Sequence, residues 1–201
     1  MVTKEKIQEL IGRAYGIAVT HGFHDEDRSN AHFLMLVISE IGEMVEADRK
    51  GLYARVPMNR ENTPYDASVF HKDNVHFVES FADCVKDRLE DELADVCIRL
   101  FDYLGTRGIE PVILGLEDDG MFDAWKTLFG KNTVCEQCFS LARIITKVEE
   151  DTPNDEIATI IGSALQWCYD FARFHAIDLP WHIDRKMDFN ESRANKHGKS
   201  Y

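Results

Sequence analysis

The chain has 201 residues, 44% of them apolar, enough to bury a sizeable core and to exclude wholesale disorder. Its 36 Asp and Glu against 23 Lys and Arg give a formal net charge of −13, which excludes a general affinity for nucleic-acid backbone or for an anionic membrane. No apolar run approaches the ~20 residues that span a bilayer, and Met1–Lys6 lead into an amphipathic pattern and not a signal-like apolar stretch, so a cytoplasmic protein is expected.

Helical periodicity dominates from end to end. Ile7, Leu10, Ile11, Ala14 and Ile17 predict a first helix over 3–20. Residues 21–29 read as a loop in which Ser29 or Asn30 caps a second helix over 30–50. Gly51, Pro57, Asn59, Asn62, Pro64 and Asp66 break the pattern across 51–80, with a short ordered piece expected around Val75–Phe81. A connection of this length is functional or mobile, and a lid over a site is one role for it. Helical period resumes over 85–104, ended by Gly105 and Gly108. Further helices are expected over 119–129, 132–150 and 154–175, and from Leu179-Pro180 to Arg193, followed by a basic tail. No strand-like alternation persists, so the fold class is all-α. Of the five cysteines, Cys135 and Cys138 form a lone C-x-x-C with no second pair to complete a zinc site, and are expected in the core.

The chemistry lies in four acids. Counting about 100° per residue from Glu40, residues Phe33, Leu36, Val37, Met44 and Ala47 fall within about 60° of it, with Glu43 at the edge of that arc. On the 85–104 helix, Val96, Leu100 and Tyr103 share the face of Glu92, and Asp95 lies one turn along. Each helix thus aims an i, i+3 pair of carboxylates toward the core. Buried like charges are costly, and a hard divalent cation ligated by oxygens of both helices resolves the cost. Mg²⁺ suits such a set, because it takes a few carboxylates and keeps positions for water and phosphate; Mn²⁺ is the alternative ion. A di-iron bundle needs Glu-x-x-His pairs, and the histidines are missing here.

Ser39-Glu40-Ile-Gly-Glu43-Met-Val-Glu-Ala-Asp-Arg-Lys-Gly51 and Glu90-Asp-Glu92-Leu-Ala-Asp95-Val-Cys-Ile-Arg99 resemble the ExxE…ExxD signature of the all-α NTP pyrophosphatase superfamily. That group contains MazG and MazG-like bacterial and phage proteins, dimeric dUTPases and dCTP pyrophosphatase. Lys186-Met-Asp-Phe-Asn190-Glu-Ser-Arg193 resembles the KMxxNxxR segment of the same enzymes. The resemblance implies a MazG-like helical bundle, a homodimer, and Mg²⁺ held by Glu40, Glu43, Glu92 and Asp95. It implies hydrolysis of nucleoside triphosphates to monophosphate and pyrophosphate, with Glu40 or Glu43 orienting the water. Lys186, Asn190 and Arg193 would then bind phosphate or close the site.

The two acid motifs lie further apart than in compact members, the excess being the 51–80 segment. Arg99 stands where some members carry an aromatic residue; it is expected to contact phosphate or to pair with Asp95 at i+4. His32, at the start of the first acid helix, is a candidate contact to the base. Asp87 and Asp102 flank the second motif and are assigned no role. The rival expectations are a strict dUTPase or dCTPase, and a non-catalytic helical module that binds nucleotides.

The C-terminal half carries a worn copy of the helix pair. Val45-Glu-Ala-Asp48 aligns with Val148-Glu-Glu-Asp151, setting Arg143 opposite Glu40 and Thr146 opposite Glu43. Phe101-Asp-Tyr103 aligns with Tyr169-Asp-Phe171, setting Ile160 opposite Glu92 and Ser163 opposite Asp95. One domain over 1–201 is therefore expected: a motif-bearing pair over 30–110 with the 51–80 insertion, and a degenerate repeat plus tail over 132–193.

Overall fold

The computed structural model describes residues 3–56, 67–112 and 119–194, and every element in them is helical. The helices are α1 (Lys4–Thr20), α2 (Asn30–Arg49), α3 (Phe77–Cys84), α4 (Leu89–Arg107), α5 (Asp119–Phe129), α6 (Val134–Ile145), α7 (Asn154–Phe174) and α8 (Leu179–Glu191), with a short 3-10 turn at Ala67–Phe70. The fold is an all-α bundle. No helix among the described residues is long and apolar enough to cross a membrane.

Local chemistry sets the starts of these helices. The side chains of Thr3, Ser29 and Asp178 accept the backbone N–H three residues on, from Lys6, His32 and Trp181. Thr133 and Glu136 form a reciprocal capping box at α6. Ser29, and not Asn30, caps α2; the Asn30 side chain instead donates to the Glu149 carbonyl and accepts from the Tyr103 hydroxyl and Arg107.

Helix α4 is the central element. Helix α2 packs along it, α1 and α8 flank it, and α6–α7 complete the bundle against α2 and α4. Leu93, Val96, Cys97, Leu100, Phe101 and Leu104 of α4 are fully buried. Gly105 does not end this helix as its residue type predicts. A Cβ there would stand 2.7 Å from the Tyr15 Cβ, so the glycine lets α1 approach, and the helix ends at Gly108 with φ +63.

The long connection is not loose where it is described. Ala54, Val56, Phe70, Phe77, Phe81, Cys84 and Val85 form a second small core with Phe189 of α8. Residues 57–66 of the insertion and 195–201 of the basic tail lie outside the described residues.

The helix expected over 132–150 in the proposed repeat ends early. Helix α6 ends at Ile145, so Val148–Asp151 lies in a turn, whereas its counterpart Val45–Asp48 is helical. The turn has another job: Glu150 accepts from the backbone N–H groups of Asn30 (3.1 Å) and Ala31 (2.9 Å), closing the N-terminus of α2 from outside. Of the C-x-x-C pair, Cys138 is in the core but Cys135 is exposed, because residues three apart on α6 straddle the edge of its buried face.

Candidate metal centre

The two acid helices meet as the spacing predicts. Glu40, Glu43 and Glu92 each offer a carboxylate oxygen within 4.8 Å of the others. Glu40 is 6% and Glu92 3% exposed, while Glu43 lies open to solvent at the edge of the arc. They line a cavity of about 280 Å³, together with Asp95, Arg99, Lys186, Asn190 and Arg193. Neither Glu43 nor Glu92 has a hydrogen-bond or ion-pair partner among the described residues.

Asp95, expected as a fourth ligand, stands outside the trio. Its Oδ2 lies 2.6 Å from Lys186 Nζ, and the same Nζ lies 2.6 Å from Oδ2 of Asp91. Lys186, expected to bind phosphate or to close the site, lines the cavity and is buried as the counter-ion of two carboxylates. Burial works against its charge, but Asp91 and Asp95 outweigh that and hold its pKa above the ordinary lysine value. Asp91 is wholly buried; its Oδ2 also accepts the Asp87 backbone N–H at 3.0 Å. Burial raises its carboxyl against the pull of Lys186. Asp91 was missed in the sequence because the wheel places it about 100° off the Glu92 face.

Arg99 donates from Nε to Glu40 Oε1 at 3.0 Å, across helices, and this replaces the i+4 pairing with Asp95. Burial and Asp95 raise the Glu40 carboxyl, and Arg99 opposes them. The largest perturbation is at Glu92. Burial first, then Asp95 and Asp91, push its carboxyl up to about 9. A carboxylate so disfavoured in the metal-free protein is suited to a hard cation, which supplies the missing positive charge.

The remaining expected residues divide. Asn190 lines the cavity with its buried Oδ1 unpartnered, and Arg193 lines it with its guanidinium 5.9 Å from the Phe189 ring. His32 does not line the cavity; its ring packs edge-on against Phe33, because position 32 turns away from the Glu40 arc. Arg143, opposite Glu40 in the repeat, is exposed and also does not line it. Among the described residues of the 51–80 segment, none lines it either.

Several lining groups carried no signal of their own in the sequence. Lys86 and Asp87 pair with each other at the entry to α4, where Asp87 takes φ +59. Glu90, next to them but outside the lining, accepts the Ala54 N–H at 2.7 Å and ties the chain after α2 to the acid helix. Opposite the acids, Ala14, Ile17 and Ala18 of α1, with Phe23 and Ile98, give the cavity an apolar wall.

Compared with protein-family models, with curated proteins and with solved structures, the chain gives no match to any of them.

Proposed function

We propose that this chain is a Mg²⁺-dependent nucleoside triphosphate pyrophosphohydrolase, converting (d)NTP and water to (d)NMP and pyrophosphate, with Mn²⁺ as a substitute ion. The observation that carries the proposal is the convergence of Glu40, Glu43 and Glu92 from two helices on one cavity. The resemblance of both acid motifs and of the Lys186–Arg193 segment to the all-α NTP pyrophosphatases supports it.

Charge points the same way. The lining carries six carboxylates (Glu40, Glu43, Asp87, Glu92, Asp95 and Asp102) against four cations (Lys86, Arg99, Lys186 and Arg193). A polyphosphate alone is repelled by that formal surplus; one divalent cation cancels it. Glu40, Glu43 and Glu92 would hold the ion, which supplies charge stabilisation at the phosphoryl oxygens. Glu43, open and unpartnered, is better placed than Glu40 to orient the attacking water, since Arg99 already occupies Glu40 Oε1. Arg193 and Asn190, which line the cavity, would face the phosphates, and Lys186 would act indirectly by fixing Asp95. Catalysis would rest on positioning and electrostatics, as in phosphoryl transfer generally.

The test is incubation with Mg²⁺ and each common NTP and dNTP, with chromatography of products. Monophosphate and pyrophosphate, lost in Glu43→Gln and with a chelator, are expected. Turnover of no nucleotide refutes the enzyme, and tight binding retained alongside it favours a non-catalytic module.

A further inference from the structure

The cavity has a second polar feature, away from the acid trio. Asp102 lies ten residues after Glu92 on α4, about 15 Å along the axis at 1.5 Å per residue. Glu92, Asp95, Arg99 and Asp102 all line the cavity, so one helix face runs its length. At the Asp102 end the neighbours are Ile98 and Arg99 one turn back, the latter donating to Glu40, and Phe23 beside His24.

Asp102 is 7% exposed. An ionised carboxylate only accepts hydrogen bonds, so the His24 Nε2–H donates to its Oδ1, at 2.8 Å. The His24 ring is held between Tyr15 (centroids 5.2 Å apart) and Phe33 (5.8 Å, stacked). The Thr106 hydroxyl fixes the Asp102 carbonyl at 2.8 Å. No other hydrogen bond or ion pair reaches the Asp102 side chain among the described residues, so Oδ2 has unused accepting capacity. A clamped acceptor beside the apolar side chains of Phe23 and Ile98 favours a ligand that brings an N–H and a flat apolar body.

We propose that Asp102, oriented by His24, is a specificity-determining residue that accepts a hydrogen bond from the exocyclic amino group of a nucleobase. The site therefore prefers amino-bearing bases to analogues that place a carbonyl oxygen or a hydrogen there, the first meeting the carboxylate with like partial charge and the second offering it no polar hydrogen. The proposal rests on the nucleotide reading of the cavity and extends it from the phosphates to the base.

The test is binding of nucleoside monophosphates in the presence of Mg²⁺, followed by NMR titration, which is independent of hydrolysis because a monophosphate has no anhydride to cleave. The matched pairs CMP/UMP, AMP/IMP and GMP/IMP each differ by an amino group. Wild type is expected to bind the amino member of at least one pair about tenfold more tightly. Asp102→Asn, which offers a donor as well as an acceptor, should reduce that ratio to near unity. His24→Leu, which keeps the carboxylate but removes its clamp, should lower the ratio several-fold while leaving the weaker partner's affinity unchanged; it carries the test if Asp102→Asn does not fold. Equal binding within every pair, binding of none, or a ratio unchanged in the folded variants overturns the proposal. Absence of hydrolysis with an Asp102-dependent ratio retained sinks only the pyrophosphohydrolase.

Discussion

Replacing Glu92 by Gln should make the metal-free protein more stable while destroying its cation site. The sign follows from the raised carboxyl. In the unfolded chain Glu92 loses its proton near its ordinary value of 4.5, and in the folded chain it holds it to about 9. Between those limits the folded state binds more protons, so stability falls as pH rises through that window. A full proton difference costs about 1.4 kcal/mol per pH unit, which sets an upper bound near 5 kcal/mol at pH 8; solvent reaching the cavity reduces this to about 2 kcal/mol. Glutamine is isosteric and neutral, so it removes this penalty. For a chain of this size the melting temperature in chelator at pH 8 should rise by roughly 4–8 °C, with little change at pH 4. Mn²⁺ binding, followed by EPR, should fall at the same time. A variant less stable than wild type in chelator at pH 8, or one with an unaltered slope of stability between pH 5 and 8, would refute the account of Glu92 as a strained, ion-seeking carboxylate.

Lys186→Met should cost about 3–5 kcal/mol in denaturant unfolding at pH 8, since Asp91 is left buried without its counter-ion; a loss below about 1 kcal/mol contradicts this. The loss should shrink toward pH 5, where Asp91 can take up a proton. Arg99→Gln should tighten Mn²⁺ binding several-fold in the absence of nucleotide, because Glu40 Oε1 is no longer shared; weaker binding by EPR contradicts it. Gly162→Ala should destabilise by about 1–3 kcal/mol, because a Cβ there would stand 2.0 Å from the Val112 carbonyl oxygen, and an unchanged melting temperature would show that the 109–112 strand of chain is free to move away.

Periodicity and capping made most of the fold legible. The bounds expected for α1, α2, α5 and α7 match within a residue or so, and Glu40, Glu43 and Glu92 converge as their spacing implies. The misses share a cause: partners distant in sequence. Lys186 is expected from its motif to bind phosphate or close the site, and Asp91, 95 residues earlier, has no role assigned by the sequence; only the docking of α8 on α4 buries both. Asp102 and His24 meet across 78 residues, from a helix and a loop whose separate patterns say nothing of each other. The early halt of α6 was hidden because Val148–Asp151 imitates Val45–Asp48, while its carboxylate is committed to the backbone of α2. The start of α4 was misplaced to 85, since nothing in the periodicity announces that Asp87 takes a left-handed backbone.

The position of α8 along the chain has a consequence for biosynthesis. As the polypeptide leaves the ribosome, the acid-rich helix emerges long before the lysine that compensates it, and Phe189, which closes the small core of the insertion, follows later still. Until α8 arrives, nascent α4 carries uncompensated negative charge beside two unfinished apolar clusters. Both apolar clusters are therefore complete only once α8 has been made.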